Sequence, residues 1–190
     1  MEKEVSYLEA KIMSFGVLVI SIPVLVLIAA LFVKQEFKVE KEIVINKPKQ
    51  VVFDYIKSLE NQNSYSIWLI GDSNLQQDLH GIDGTTGFAL EWKYVKGNQQ
   101  QVVFKEKIKN ITKGQRIEYE LHLWKTLQTD FNSYMITDSV TDSTTRVRWG
   151  ATRRISYPFN LQRLSMSMED SIGNYLDKSL FNLKDVLEKK

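Results

Sequence analysis

The stretch from Tyr157 to the C-terminus limits the possible folds of this chain more than any other part of it. Its large apolar residues recur mostly at steps of three and four, which places them on one side of an α-helix. They are Leu161, Leu164, Met168, Ile172, Tyr175, Leu176, Leu180, Leu183, Val186 and Leu187. Asn160 is the predicted N-cap of this helix, and Pro158 lies just outside it.

A helix of about 28 residues is roughly 40 Å long, and its apolar side needs a cover of similar length. The chain offers no comparable partner helix, but it offers a series of alternating strands. We therefore predict an α+β fold in which a curved antiparallel sheet grips the C-terminal helix. The alternative is a coiled-coil or dimer helix, which is less favoured because the apolar stripe is wider than a coiled-coil seam and Gly173 interrupts it.

Composition excludes several classes of function. The chain has 190 residues, a formal net charge of +2 and no cysteine. The near-neutral charge gives no indication of a nucleic-acid partner. The absence of cysteine excludes disulfides, thiolate metal sites and a cysteine nucleophile.

An uncharged run from Ile12 to Val33 predicts a transmembrane helix, because about 20 apolar residues are enough to cross a bilayer. Residues 1–11 form a polar tail before it, and residues 34–190 form one domain after it. A cleaved signal peptide is the alternative, but the acidic start and the length of the run argue against it. Lysines are more frequent after the run than before it, so the domain is expected on the cytoplasmic side.

Beyond this run the pattern first alternates and then becomes helical. Phe37, Val39, Ile43 and Ile45 predict a strand with one buried face, which Lys41 interrupts. Pro48 then suits the first turn of a helix. The predicted apolar flank of that helix consists of Val51, Val52, Tyr55, Ile56 and Leu59. Residues 60–87 are predicted to be irregular, with a short helix or lid over residues 67–70.

Four or five strands joined by short turns are predicted between residues 88 and 154, which indicates an antiparallel meander. Alternation places four groups of side chains on inner faces. These groups are Phe88, Leu90, Trp92 and Tyr94; Val102, Phe104, Glu106 and Ile108; Ile117, Tyr119, Leu121 and Leu123; and Val147, Trp149 and Ala151. For the strand near residues 129–140, either Phe131, Ser133 and Met135 or Tyr134 and Ile136 face inward.

Three stretches resemble the START-like, helix-grip superfamily (SRPBCC), in particular its polyketide cyclase/dehydrase-like bacterial members. They are EIVINKPKQVVFDYIKSLEN, IDGTTGFALEW, and the stretch that runs from VRWGATRRISYPFN to the C-terminal FNLK. The resemblance covers roughly residues 38–188, and the last stretch is most similar to a membrane-anchored bacterial subgroup. It implies a hollow between sheet and helix that holds an apolar or aromatic small molecule.

The predicted cavity lining follows from that resemblance and from the inner faces of the strands. It consists of Trp68, Phe88, Leu90, Trp92, Phe104, Glu106, Tyr119, Leu121, Trp149, Arg153, Met168, Ile172 and Tyr175. Periodicity alone does not distinguish a lined pocket from a filled core.

Glu106 is the polar residue of most interest, because it alternates in phase with Phe104 and Ile108. A carboxylate that faces inward needs a partner, and Arg153 is the candidate. The hypothesis is that Glu106 and Arg153 orient a ligand. The alternative is that the strand bulges or that Glu106 lies at an exposed edge.

No catalytic, metal or cofactor motif is found in the sequence. His80 lies in a predicted loop and His122 on the polar face of a strand, so both are expected at the surface. No group of His, Asp and Glu has the spacing of metal ligands. An enzymatic activity is therefore not favoured.

The sequence predicts a membrane-anchored binding protein for a hydrophobic small molecule or lipid. A cavity tethered to the bilayer would meet an apolar ligand at high effective concentration. The alternatives are a polyketide cyclase-like enzyme that acts on an apolar substrate and a non-catalytic domain that docks a partner.

Overall fold

The computed structural model describes residues 2–67, 75–96, 99–124, 129–161 and 168–189, and within these ranges the side chains of residues 2–13, 16–18, 129 and 168 lie outside the description. The chain divides into two compact units. The helical unit comprises residues 1–37 with 154–167, and the sheet unit comprises residues 38–153 with 168–190.

The helical unit contains α1 (Glu2–Leu31) and a 3-10 helix (Phe159–Leu161). Tyr157 donates a hydrogen bond from its hydroxyl to the carbonyl of Leu27, at 3.2 Å. Asn160 is fully buried, and its side-chain amide lies 2.7 Å from each of two carbonyl oxygens, those of Ala30 and Val33. The last turn of a helix leaves carbonyls without partners inside the helix, and Asn160 bonds to that of Ala30 and to the carbonyl of Val33, just after the helix.

The described part of the long C-terminal helix, α3, covers Met168–Glu188, and residues 162–167 before it lie outside the described residues. That Asn160 is the N-cap of this helix therefore stays a prediction. What the structure shows is that the Asn160 side chain bonds at the end of α1, a role that depends on the tertiary approach of α1. In the part of the chain that is described, no helix is long and apolar enough to cross a membrane.

The sheet unit is built on seven strands in the order β1-β7-β6-β5-β4-β3-β2. Each pair of successive strands from β2 to β7 is antiparallel. The strands are β1 (Glu36–Ile45), β2 (Leu75–His80), β3 (Ala89–Lys96), β4 (Gln99–Thr112), β5 (Arg116–Leu123), β6 (Thr129–Thr141) and β7 (Thr144–Arg154). This confirms the meander between residues 88 and 154, and β2 is a strand that the sequence analysis missed.

The register decides which face of each strand is buried. Tyr119 of β5 lies opposite Ile108 on one side and Ser133 on the other. Met135 is fully buried, so Phe131, Ser133 and Met135 form the inner face of β6. This resolves the alternative that the sequence left open, and Tyr134 lies on the outer face.

Helix α2 (Lys49–Ile56) follows Pro48 as predicted, but its buried side differs in part from the prediction. Val52, Phe53 and Ile56 are buried, whereas Val51 is half exposed. A short 3-10 helix (Glu60–Ser64) comes next. Asp83 holds this junction, because its carboxylate accepts hydrogen bonds from Ser58 and from the backbone amide of Leu59.

Helix α3 packs its apolar side into the same core as the inner face of the sheet, which confirms the central prediction. The buried residues that it contributes to this core are Tyr175, Leu176, Leu180, Leu183 and Leu187. Gly173 does not interrupt this packing. It lies directly against β1, because a Cβ built on Gly173 would lie 3.2 Å from Cε of Lys41.

Lys41, which interrupts the alternation of β1, has a defined role in this contact. Its Nζ lies 2.8 Å from the carboxylate of Asp177 on α3. The long side chain thus covers Gly173 with its carbon stem and places its charge beside the helix.

Candidate functional site

The candidate site lies in the sheet unit, between the inner face of the sheet, the 65–67 segment and α3. Three side chains on one side of α3 hold that segment. Ser179 accepts a hydrogen bond from the amide of Ile67, Asn182 donates to the carbonyl of Tyr65, and Tyr175 bonds to the hydroxyl of Ser66. Positions 175, 179 and 182 share a helical face, so these bonds form one polar stripe within the apolar side of α3.

A pocket of about 260 Å³ lies beside this stripe. Its lining consists of Ile67, Ser171, Asn174, Tyr175 and Lys178. Tyr175 is the only one of the five that is buried, so it separates the pocket from the core behind it. The volume is slightly below the range of about 300–1,000 Å³ that is usual for small-molecule sites.

Behind Tyr175 the interior is formed by aromatic rings. The Tyr175 and Trp149 rings meet edge to face with centroids 5.9 Å apart, and Trp149 meets Tyr65 in the same way at 6.0 Å. The indole N–H of Trp149 donates to the hydroxyl of Ser133, which donates in turn to the carbonyl of Gly150. These rings are therefore fixed both by packing and by hydrogen bonds.

Glu106 is the buried carboxyl of this interior. It lies on the inner face of β4, opposite Leu90 and Leu121, and is only 2 % exposed. Its hydrogen bond comes from the side-chain amide of Gln62, at 3.2 Å. Burial raises the pKa of Glu106 from 4.5 to about 7, and the bond from Gln62 partly offsets this rise.

The predicted inward orientation of Glu106 is confirmed, but Arg153 is not its partner. The guanidinium of Arg153 lies over the ring of Phe131, 5.4 Å from its centroid. Desolvation lowers the pKa of Arg153, and the charge of Asp130 opposes that change. Glu106 is thus held by a neutral amide, which leaves its charge uncompensated when it ionises.

Two tyrosines share the environment of Glu106. Tyr119 is fully buried and donates a hydrogen bond to the carbonyl of Ile56, at 3.3 Å. Burial raises the pKa of Tyr119 and of Tyr65, and the charge of Glu106 raises both further. The interior therefore favours neutral groups over anions.

Most of the predicted lining residues meet in this core. The structure buries or partly buries Phe88, Leu90, Trp92, Phe104, Glu106, Tyr119, Leu121, Trp149, Ile172 and Tyr175 around it. Trp68 and the side chain of Met168 lie outside the described residues. Whether any of these side chains touches a ligand stays a prediction.

Sequence reasoning missed Gln62, Tyr65, Ser66 and Ser179. The first three lie in and just after the 3-10 helix, where no periodicity marks a buried side. A signal was present at Ser179, because it falls in phase with the apolar residues of the helix.

The two histidines and the possible metal ligands give no alternative site. The His80 side chain lies 3.5 Å from Glu91, and that of His122 lies 2.6 Å from Asp130, and both are partly exposed. Among the described residues no group of three or more His, Asp and Glu could hold a metal ion.

No protein-family model and no curated protein matches this sequence. Solved structures do match its fold. Norcoclaurine synthase from Thalictrum flavum, in complex with dopamine and hydroxybenzaldehyde, is 13% identical with a TM-score of 0.59, over 86% of this chain and 92% of that chain. Ara h 8.0201 is 12% identical with a TM-score of 0.55, over 82% and 99%.

A protein from Nitrosospira multiformis is 17% identical with a TM-score of 0.53, over 78% of this chain and 94% of that chain. Identities this low show a shared fold and leave the activity open. The seven-stranded sheet with its long C-terminal helix is thus the helix-grip fold.

Proposed function

We propose that this protein binds a hydrophobic small molecule or lipid between the sheet and α3, with the pocket beside Tyr175 as the entrance. The observation that carries the proposal is the position of that pocket. It lies between α3 and the 65–67 segment and backs onto an aromatic interior that contains a buried carboxyl. Small-molecule sites are mostly apolar, with a few polar groups that fix orientation. The structural neighbours named above include one solved with aromatic compounds.

Native mass spectrometry of the purified full-length protein tests the proposal. A co-purifying apolar compound is the expected result. Titration with 2-ethylnaphthalene, followed by its fluorescence, provides a second measurement that does not depend on the natural ligand. Saturable binding to one site per chain is expected. The absence of both a co-purifying compound and saturable probe binding would contradict the proposed function.

A pocket-filling variant locates the entrance. Asn174→Trp places a large ring at the lining of the pocket and should weaken 2-ethylnaphthalene binding by at least about tenfold, because a ring that blocks the site leaves no room for the probe. Phe181→Trp is the matched control, since it adds bulk at an exposed position of α3 outside the lining. Equal effects of the two variants on probe binding would show that the entrance does not lie at this pocket.

A membrane anchor is the finer part of the proposal. Its support is the uncharged run from Ile12 to Val33, in which the described side chains of 19–28 are largely exposed and apolar. Retention of the protein in the membrane fraction after alkaline carbonate extraction would support the anchor. Release of the protein into the supernatant would contradict it.

The orientation proposed for the anchored protein places residues 34–190 on the cytoplasmic side, because lysines are enriched just after the run. Protease added to sealed inside-out and right-side-out vesicles distinguishes the two orientations. Digestion of the domain in the inside-out vesicles alone is expected, and the reverse pattern contradicts the proposal.

A second candidate function is acid–base catalysis on an apolar substrate. The pKa of Glu106 of about 7 favours it, because general acids and bases are most effective when their pKa lies near the working pH. Incubation of the protein with its co-purified compound, followed by mass analysis, separates the two candidates. Conversion that is lost in Glu106→Gln while binding persists would favour catalysis, and unchanged compound favours binding alone.

A further inference from the structure

Two buried hydrogen-bond donors of the sheet unit have no partner among the described residues. They are the hydroxyl of Tyr65 and the indole N–H of Trp92. Tyr65 is fully buried and Trp92 is 7% exposed, so bulk water does not satisfy them. Native proteins rarely leave such groups unpaired, and each case requires a physical explanation.

Both donors belong to the interior that contains Glu106. Trp92 lies opposite Phe104 on the inner face, and Glu106 is two residues further along the same face of β4. Tyr65 is close enough to Glu106 for the carboxylate charge to raise its pKa. Tyr65 also contacts Trp149, whose ring contacts Tyr175 at the pocket. The unpaired donors are thus part of the proposed binding site.

We infer that the ligand of this site is an uncharged apolar molecule that carries at least one acceptor oxygen, such as that of a ketone or an ester, and that this oxygen accepts a hydrogen bond from Tyr65 Oη or Trp92 Nε1. The inference rests on the proposed function and specifies its ligand class. An indole N–H donates and does not accept, so the group that pairs with Trp92 must be an acceptor.

The charges around the site decide against ionised ligands. A carboxylate ligand, as in a fatty acid, would meet Glu106 and two tyrosines whose environment already disfavours negative charge. The cation at the pocket, Lys178, is exposed at its outer lining. An ammonium ligand would bring donors to a site that needs acceptors for Tyr65 and Trp92. A neutral acceptor oxygen satisfies a donor of this kind and adds no charge.

A pair of probes isolates the acceptor oxygen. 2-Acetylnaphthalene and 2-ethylnaphthalene share the ring and differ little in size, but the first carries a carbonyl. Both are titrated into the full-length protein and into Tyr65→Phe, Trp92→Phe and Tyr55→Phe. Tyr55→Phe is the matched control, because its hydroxyl bonds to Ser64 at the surface.

At least one of Tyr65→Phe and Trp92→Phe is expected to weaken 2-acetylnaphthalene binding about tenfold, which is the effect of one lost hydrogen bond in an apolar site. Binding of 2-ethylnaphthalene should change less than about twofold in the same variants. The carbonyl stretch of bound 2-acetylnaphthalene should lie at lower frequency in the wild type than in the variant with weakened binding. Tyr65→Phe removes only an unpaired hydroxyl, so this variant is expected to fold.

The outcomes separate this inference from the proposed function. Saturable binding of 2-ethylnaphthalene, with equal responses of the two probes to Tyr65→Phe and also to Trp92→Phe, overturns the inference and leaves the proposed function in place. That result would assign the donors to buried water. Binding of neither probe overturns both. Stronger binding of an anionic probe, 2-naphthoate, than of 2-acetylnaphthalene at neutral pH would also contradict the inference.

Discussion

Glu106 is the residue whose chemistry depends most on its surroundings. An ordinary glutamate is ionised well below neutral pH, but burial brings the pKa of Glu106 to about 7. The folded protein therefore holds a proton that the unfolded chain releases between pH 4.5 and about 7. Because the folded state binds more protons in this window, its stability falls as the pH rises through it.

The variant Glu106→Gln removes this dependence. The free energy of unfolding of the wild type should fall relative to the variant by on the order of 3 kcal/mol between about pH 4.5 and about pH 8, since each pKa unit corresponds to about 1.4 kcal/mol. The substituted side chain keeps an oxygen for the Gln62 amide, and its own unpaired amide adds an offset that is independent of pH. Urea unfolding at several pH values measures the difference.

Asp78→Asn is a control, because the stability contribution of Asp78 depends on pH in the opposite direction to that of Glu106. The Lys93 ammonium lowers the pKa of Asp78, so its contribution to stability is present at neutral pH and is lost only in acid. A wild-type slope between pH 5 and 7 that persists in Glu106→Gln would show that another group causes it.

At the scale of elements, two glycines respond differently to the same substitution. A Cβ on Gly150 would lie 2.3 Å from Cζ of Tyr134, its cross-strand neighbour. The ring is 6% exposed and its hydroxyl bonds to Glu40, so it cannot move aside freely. Gly150→Ala should destabilise the protein by about 1–3 kcal/mol, as overpacked sites do.

The clash with Tyr134 predicts strong coupling. In a Tyr134→Ser background the same Gly150→Ala change should cost much less, because the ring that blocks the methyl group is gone. Thermal unfolding of the two single variants and the double variant measures the coupling. Additive effects would show that the cost of Gly150→Ala has another cause.

Gly173 of α3 gives the opposite expectation. The obstacle there is the flexible stem of Lys41 at 3.2 Å, which can shift by a few tenths of an ångström. Alanine is favoured over glycine inside a helix by about 1 kcal/mol, so Gly173→Ala should be neutral or stabilising by up to that amount. A loss of more than about 1 kcal/mol in urea unfolding would show that β1 and α3 are packed too tightly to adjust.

The capping contact in the helical unit is also a property of elements. Asn160→Ala removes two hydrogen bonds, one to the buried carbonyl of Ala30 and one to the half-buried carbonyl of Val33. Loss of these bonds should cost about 1–3 kcal/mol and should increase amide exchange near the end of α1. Unchanged exchange at residues 29–35 would contradict this role.

At the scale of the whole molecule, binding and stability are linked. A ligand that binds only the folded state should raise the free energy of unfolding by about 2.7 kcal/mol at a hundred times its dissociation constant. 2-Ethylnaphthalene is expected to raise the unfolding temperature in this concentration-dependent way, and Asn174→Trp, which weakens binding by at least about tenfold, should reduce the shift by about half or more. A shift of equal size in that variant would place the binding outside the pocket.

Local patterns in the sequence determined much of the fold. Alternation in the strands and the three- and four-residue steps of α3 predicted most of the buried faces, because each residue in a regular element repeats its orientation at a known interval. The inward orientation of Glu106 and the aromatic interior around Trp92, Tyr119 and Trp149 followed from the same patterns.

Only the tertiary structure decided what these side chains contact. Gln62 and Tyr65 come from an irregular segment without a period, and they reach Glu106 and Trp149 because α3 and Asp83 hold that segment. The sequence predicts Asn160 as the cap at the start of the C-terminal helix, whereas in the structure its side chain bonds at the end of α1. Local preference for a cap does not specify which helix is capped. Periodicity specifies the direction of a side chain, and the approach of distant segments specifies its partner.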